Sequence, residues 1–139
     1  LKVFFDNCTA PVLAATLQGF ISNWGHEACH IRDMAGLSKG RSSTDLEWID
    51  LLHRAPERWM FISADYRILK NPAERAALRR AGLHGFIMAR GFAKMPMHQR
   101  AAALILKWPE MLQVTEILAA PTMHEIPVRA GKKLSSLPL

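Results

Sequence analysis

The sequence predicts an α/β fold: a three-layer α/β/α domain on a mostly parallel sheet of four to five strands. Three observations predict it. Short apolar, β-prone runs alternate with stretches of helical period along the chain. Two of those runs are followed closely by an aspartate, Asp6 and Asp65, as strands are when they stop at a polar loop. Two strong helix starts, at Thr44 and at Asn71-Pro72, lie between the runs. Strands alternating with helices imply βαβ units and parallel pairing.

In chain order, Val3, Phe4 and Phe5 form the first strand, ending at Asp6-Asn7. Thr9 is a candidate N-cap for a helix beginning near Pro11, where Val12, Leu13, Leu17, Phe20, Ile21 and Trp24 recur at helical spacing until Gly25. Residues 27–31 read as a second strand, and residues 34–43, with two glycines and basic side chains, as a mobile loop. Thr44 caps a helix with Leu46, Ile49 and Leu52 on its apolar face, and Pro56 lies just beyond it. Residues 59–62 are a third strand, a helix runs from Asn71 to Gly82, and residues 85–88 are a fourth strand. Residues 96–119 are helical with a break at Pro109, and residues 123–128 form a fifth, edge strand. One domain over residues 1–128 is expected, with 129–139 a basic tail that has little to bury.

Half of the 139 residues are apolar, the balance of an ordinary globule. No apolar stretch approaches the ~20 residues needed to span a bilayer, and residues 2–6 read as a strand rather than a cleavable leader. Cys8 and Cys29 show no metal-ligand spacing and read as reduced, buried thiols, so the expected location is cytoplasmic, without membrane association. Eighteen Lys and Arg against twelve Asp and Glu leave a charge of +6, which serves solubility or favours a polyanionic partner such as RNA.

The strand-end acids carry the chemistry. If the strand order is second, first, third, fourth, the order reverses between the first and third strands, where open α/β sheets form their sites. Neighbouring strands lie ~4.8 Å apart, so Asp6 and Asp65 can converge there, with Asp45 closing the group from the first turn of its helix. Close carboxylates repel by ~1 kcal/mol in water-like surroundings and ~4 kcal/mol at an effective dielectric of 20. Mg²⁺ or Mn²⁺ removes that repulsion and suits hydrolysis of a phosphodiester. Each acid also has a structural role open to it. Asp6 can open an Asx-turn, Asp45 can favour a helix N-terminus, and Glu47 and Glu74 can complete capping boxes with Thr44 and Asn71. Glu47 and Glu74 therefore stand as second-tier metal ligands. Lys39 and Arg41, in the loop near the acids, are candidate substrate contacts, with Asn7, Arg67 and Lys70 beside them. The cluster of Arg75, Arg79 and Arg80 tracks phosphates, seats an acidic protein segment, or is merely a solvated helix face.

Val3-Phe4-Phe5-Asp6-Asn7, Gly25-His26-Glu27-Ala28, Thr44-Asp45-Leu46-Glu47-Trp48-Ile49 and Phe61-Ile62-Ser63-Ala64-Asp65-Tyr66 occur in that order. The series resembles the PIN-like nucleases, in particular the VapC-like branch of bacterial toxin–antitoxin systems, over residues 2–90. The resemblance implies a Mg²⁺- or Mn²⁺-dependent ribonuclease with Asp6, Asp45 and Asp65 as catalytic and metal-binding acids. It also implies an antitoxin partner and, in many members, a homodimer. One departure is that many members carry a fourth acid after the next strand, whereas residues 84–92 contain none. That departure leaves open a weak or inactive relative that only binds nucleic acid or protein.

His26-Glu27-Ala28-Cys29-His30 formally fits the zinc-protease pattern H-E-x-x-H. That chemistry needs a helix. In a strand the two imidazoles would stand ~13 Å apart, too far to share one ion.

Overall fold

The apolar runs pair side by side. In the computed structural model, which describes residues 1–139, β1 (Lys2–Phe5) lies between β2 (Glu27–His30) and β3 (Trp59–Ser63). The sheet continues through β4 (His84–Met88), β5 (Thr122–Ile126) and β6 (Ser135–Leu137), giving the order β2-β1-β3-β4-β5-β6. The first five strands are parallel and β6 is antiparallel.

Successive strand residues face opposite ways and so feed two cores. Val3, Phe5, Met60, Ile62, Phe86 and Met88 pack with α1 (Pro11–Ile21) and α4 (Met97–Ile117). Phe4, Phe61 and Ile87 pack with α2 (Asp45–Arg54) and α3 (Pro72–Ala81). Trp48 of α2 is fully buried between the rings of Phe4 and Phe61. Both faces of the sheet are thus covered, and function is confined to its ends and edges.

The helix signals act as their chemistry dictates. Thr44 and Glu47 exchange both bonds of a capping box at the start of α2. Asn71 accepts from the Ala73 and Glu74 amides at the start of α3, and Gly82 ends that helix in the left-handed conformation, φ 65°. Thr9 does not cap α1. Its hydroxyl donates to the Asp6 carbonyl at 2.7 Å, and Ala10 takes the cap position.

Three expectations about the C-terminal third need correction. α4 runs unbroken through Pro109, because that residue faces solvent, where the carbonyl left without its helical partner can bond to water. The sheet has six strands, so β5 is interior. And residues 129–139 are not an idle tail. Leu134 packs on one core and Leu137 on the other, while Lys107 of α4 donates to the Lys132 carbonyl and Glu110 accepts from the Leu134 amide at 2.7 Å. At the opposite edge, the Gln18 side chain of α1 accepts from the outward Ala28 amide of β2 at 2.6 Å. No helix is long and apolar enough to cross a membrane.

β4 crosses the middle of the sheet closely enough to require glycine at residue 85. A Cβ there would stand 2.3 Å from the Phe61 ring and 2.4 Å from the Met123 sulfur. Gly85→Ala should therefore lower stability by ~1–3 kcal/mol through overpacking, read as a fall in the urea midpoint at unchanged slope. An unchanged midpoint would mean that Phe61 and Met123 yield freely to the added methyl group.

Candidate active site at the carboxyl end of the sheet

The strand order reverses between β1 and β3, and the acids collect there. Asp6 directly follows β1 and Asp65 lies two residues past β3, at the same end of the sheet. The register that pairs Phe5 with Ile62 brings Asp6 opposite Ser63. Asp6 is buried, with 3 % of its surface exposed. One carboxylate oxygen accepts from the Ser63 hydroxyl at 2.5 Å and the other from the Cys8 amide at 3.1 Å. The Asx-turn role open to Asp6 is therefore real, but it does not account for the burial. Ser63 in turn accepts from the Asp65 amide at 3.0 Å, so one hydroxyl links both strand ends.

Burial pushes the Asp6 carboxyl up to about 7, against the Ser63 hydrogen bond, and the charges of Asp45 and Asp65 push it the same way. No cation pairs with it. Asp65 is the opposite case. Its carboxylate caps the short 3₁₀ turn Tyr66–Leu69 by accepting from the Arg67 amide at 2.9 Å, and it takes the Arg67 guanidinium at 2.9 Å. Those bonds with Arg67 hold it below the usual carboxylate range.

Asp45 enters from the first turn of α2 and accepts from the Trp48 indole at 2.9 Å, so the buried tryptophan fixes its position. Glu47 and Glu74 part company. Glu47 is engaged in the capping box, with Lys39 Nζ at 3.9 Å. Glu74 makes no return bond to Asn71. Burial raises its pKa, with the Asp45 and Asp65 charges and a hydrogen bond to Asp45 adding to the rise. The helix position that reads as a cap is thus electrostatically part of the acidic group.

The candidate substrate contacts are dispersed. Arg41 donates to the Asn7 side chain at 2.9 Å, tying the loop of residues 34–43 to the turn after β1. Arg67 is occupied by Asp65, Lys70 is exposed, and on α3 Arg79 and Arg80 are exposed while Arg75 is half-buried with its Nε unpartnered. At this end Ser63 carries no expectation from the sequence, and Cys8, read there as a buried thiol, is exposed because it sits in the turn after β1. Ser63 had a visible signal as the polar residue that ends an apolar strand. The Cys8 Sγ lies 3.7 Å from Asp65, and partial desolvation of the sulfur together with the Asp6 and Asp65 charges pushes its thiol up to about 12, which disfavours the thiolate.

The H-E-x-x-H segment does not form a zinc site. Glu27–His30 is a strand, His26 packs edge-on to Trp108, and His30 is buried with Nε2 bonded to the Thr9 carbonyl at 2.8 Å.

A family model described as a PIN-like domain matches residues 1–90, from β1 through the end of β4. The chain belongs to the PIN-like domain family. No curated protein and no solved structure matches it. For this PIN-like domain, the donor chemistry around Asp6 suits a hard divalent cation, since it is made of carboxylate oxygens and Asp6 itself has no protein cation. The side-chain positions are less suitable. As they stand, no three His, Cys, Asp or Glu side chains are placed to hold one ion, because Asp65 is turned to Arg67 and Asp45 to Trp48.

The Asp6 shift fixes the sign of a pH dependence. Its folded value, about 7, lies above the ordinary 3.8, so between those values the folded protein keeps a proton that the unfolded chain has lost. Stability from this group is full below about pH 4 and falls by at most ~1.4 kcal/mol per pH unit until about pH 7. In EDTA, the melting temperature of Asp6→Asn relative to the parent should therefore rise across that window and level off above it. A constant difference from pH 4 to 8 would show that Asp6 titrates normally.

Proposed function

We propose that this PIN-like domain is an endoribonuclease that hydrolyses RNA phosphodiesters with Mg²⁺ or Mn²⁺ held by Asp6, Asp45 and Asp65, with Glu74 as the fourth acid. One observation carries the reading: Asp6 is a buried carboxylate with only neutral hydrogen-bond donors and like charges nearby. Buried charges are normally paired or bound to metal, and this one has no protein cation. When bound, the cation lowers the pKa of water and neutralises charge growing on the phosphate. Ser63 keeps Asp6 oriented, and the Trp48 indole does the same for Asp45. Arg67, whose side chain is 84 % exposed, can leave Asp65 for a substrate phosphate, so that cation and substrate exchange partners with an existing ion pair.

The reading extends to a cytoplasmic toxin of the VapC-like branch, masked by an antitoxin and acting as a homodimer. The exposed Arg79 and Arg80, in the last turn of α3 and away from the acids, offer a seat for an acidic antitoxin segment. A second reading, a binding module with weak or no catalysis, is favoured by one observation: the loop after β4 presents Arg90 and no acid.

Purified protein should cut RNA in Mn²⁺ or Mg²⁺, stop in EDTA, and leave 5′-phosphate and 3′-hydroxyl ends. Losing an outer partner of a metal ligand costs ~10–100-fold, so Asp6→Ala should lower cleavage by more than that while RNA affinity changes little. Cleavage that persists in EDTA and in Asp6→Ala would refute the reading. Tight RNA binding without cleavage in any divalent cation would establish the binding module.

A further inference from the structure

Beside the acids, between the turn after β1 and the end of β4, lies a cavity of about 110 Å³. Leu13 and Phe92 contribute to its apolar lining, Cys8 and Ala64 border it on the side of the acids, and Arg90 and Arg100 complete it. Cys8 is two residues from Asp6 and Ala64 precedes Asp65, so the cavity and the carboxylates share a wall.

Both guanidiniums are held without being neutralised. Arg90 lies 5.0 Å from the centre of the Tyr66 ring, whose hydroxyl donates to Glu125. Arg100 donates to the Met95 carbonyl at 2.9 Å and to the Ala93 carbonyl at 3.1 Å. Neither forms an ion pair. Size and lining then limit the occupant. The volume is a few times the ~30 Å³ share of one water and well below the ~300–1,000 Å³ of pockets for drug-sized ligands. It admits one flat apolar group, with an anion alongside. A base of single-stranded RNA and its adjoining phosphate have that chemistry, since unstacked bases lie on apolar and aromatic side chains and phosphates pair with arginine.

We propose that this cavity is a nucleotide subsite. One RNA base enters the space floored by Leu13 and Phe92, and the adjoining phosphate pairs with Arg90 and Arg100, which sets the strand in register with Asp6 and Asp65. The inference rests on the endoribonuclease reading and deepens it by naming what holds the strand. The field across the site is polar, with acids at the ends of β1 and β3 and arginines past β4. A polyanion is thus drawn to one side and meets the carboxylates only at the next phosphate.

The test measures binding of a fluorescent single-stranded RNA hexamer in EDTA by anisotropy, so that no cleavage intervenes. Arg90→Gln removes charge, and Ala93→Leu narrows the cavity without changing charge; both residues are exposed, and melting curves verify that each variant folds. Arg90→Gln should weaken binding about tenfold and reduce the slope of log K against log salt by ~0.7, the value for one single-strand phosphate contact. Ala93→Leu should weaken binding by a similar factor at unchanged slope, and hexamers with abasic sites should lose affinity for the parent but not for Ala93→Leu. Parent-like binding by both variants, or no binding by the parent, overturns the subsite. Cleavage by the parent in Mn²⁺ together with parent-like binding by the variants removes the subsite and leaves the nuclease. The expected binding losses without any cleavage keep the subsite and remove the nuclease.

Discussion

The Ser63 hydroxyl joins the ends of β1 and β3, donating to Asp6 and accepting from the Asp65 amide. The rest of the site depends on this link. Parallel pairing places the two strands in register, and the helical crossovers that parallel strands require also cover both faces with helices. Coverage of the faces is what buries Asp6. The sheet's topology therefore determines both where the carboxylate stands and why its charge is costly there.

That cost is distributed unevenly. Asp65 is satisfied by Arg67 and by its turn, Asp45 by the Trp48 indole, and Glu47 by Thr44, while Asp6 and Glu74 are raised by burial and by each other's neighbours. Asp65, Asp45 and Glu47 have protein partners in place of an ion, whereas Asp6 has only the Ser63 hydroxyl and the Cys8 amide, and the exposed Arg67 is the partner that can leave at least expense. Arg67 is the component that divides the resting arrangement from a metal-holding one.

Much of this was legible from residue types. Parallel pairing followed from strand–helix alternation, the order of the first four strands stood only as a condition that the sheet meets, and the placement of Asp6 and Asp65 at one end followed from where their apolar runs stop. The starts of α2 and α3 followed from Thr44-Glu47 and Asn71-Pro72. The unforeseen features depend on contacts far apart in the chain. β6 is three residues long and its period cannot be recognised until β5 is present as a template. Pro109 signals a break unless its solvent-facing placement is known. Glu74 reads as a cap until α3 packs against α2 and brings it to Asp45. Arg90 and Arg100 become neighbours only after the chain past β4 turns back into α4. The family match ends at residue 90, so the last forty-nine residues had no template beyond their own chemistry.

The two margins of the sheet have a consequence for how copies of the chain behave in a crowded solution. An exposed margin presents free amides and carbonyls that another chain can extend, the usual beginning of aggregation. Here β6 closes one margin with a short antiparallel strand anchored by Lys107 and Glu110, and at the other the Gln18 side chain occupies the Ala28 amide of the four-residue β2. Strand-to-strand fusion of copies is thereby disfavoured at both sides. Self-association of this protein that keeps the fold intact is directed toward its helices and loops rather than toward the margins of the sheet.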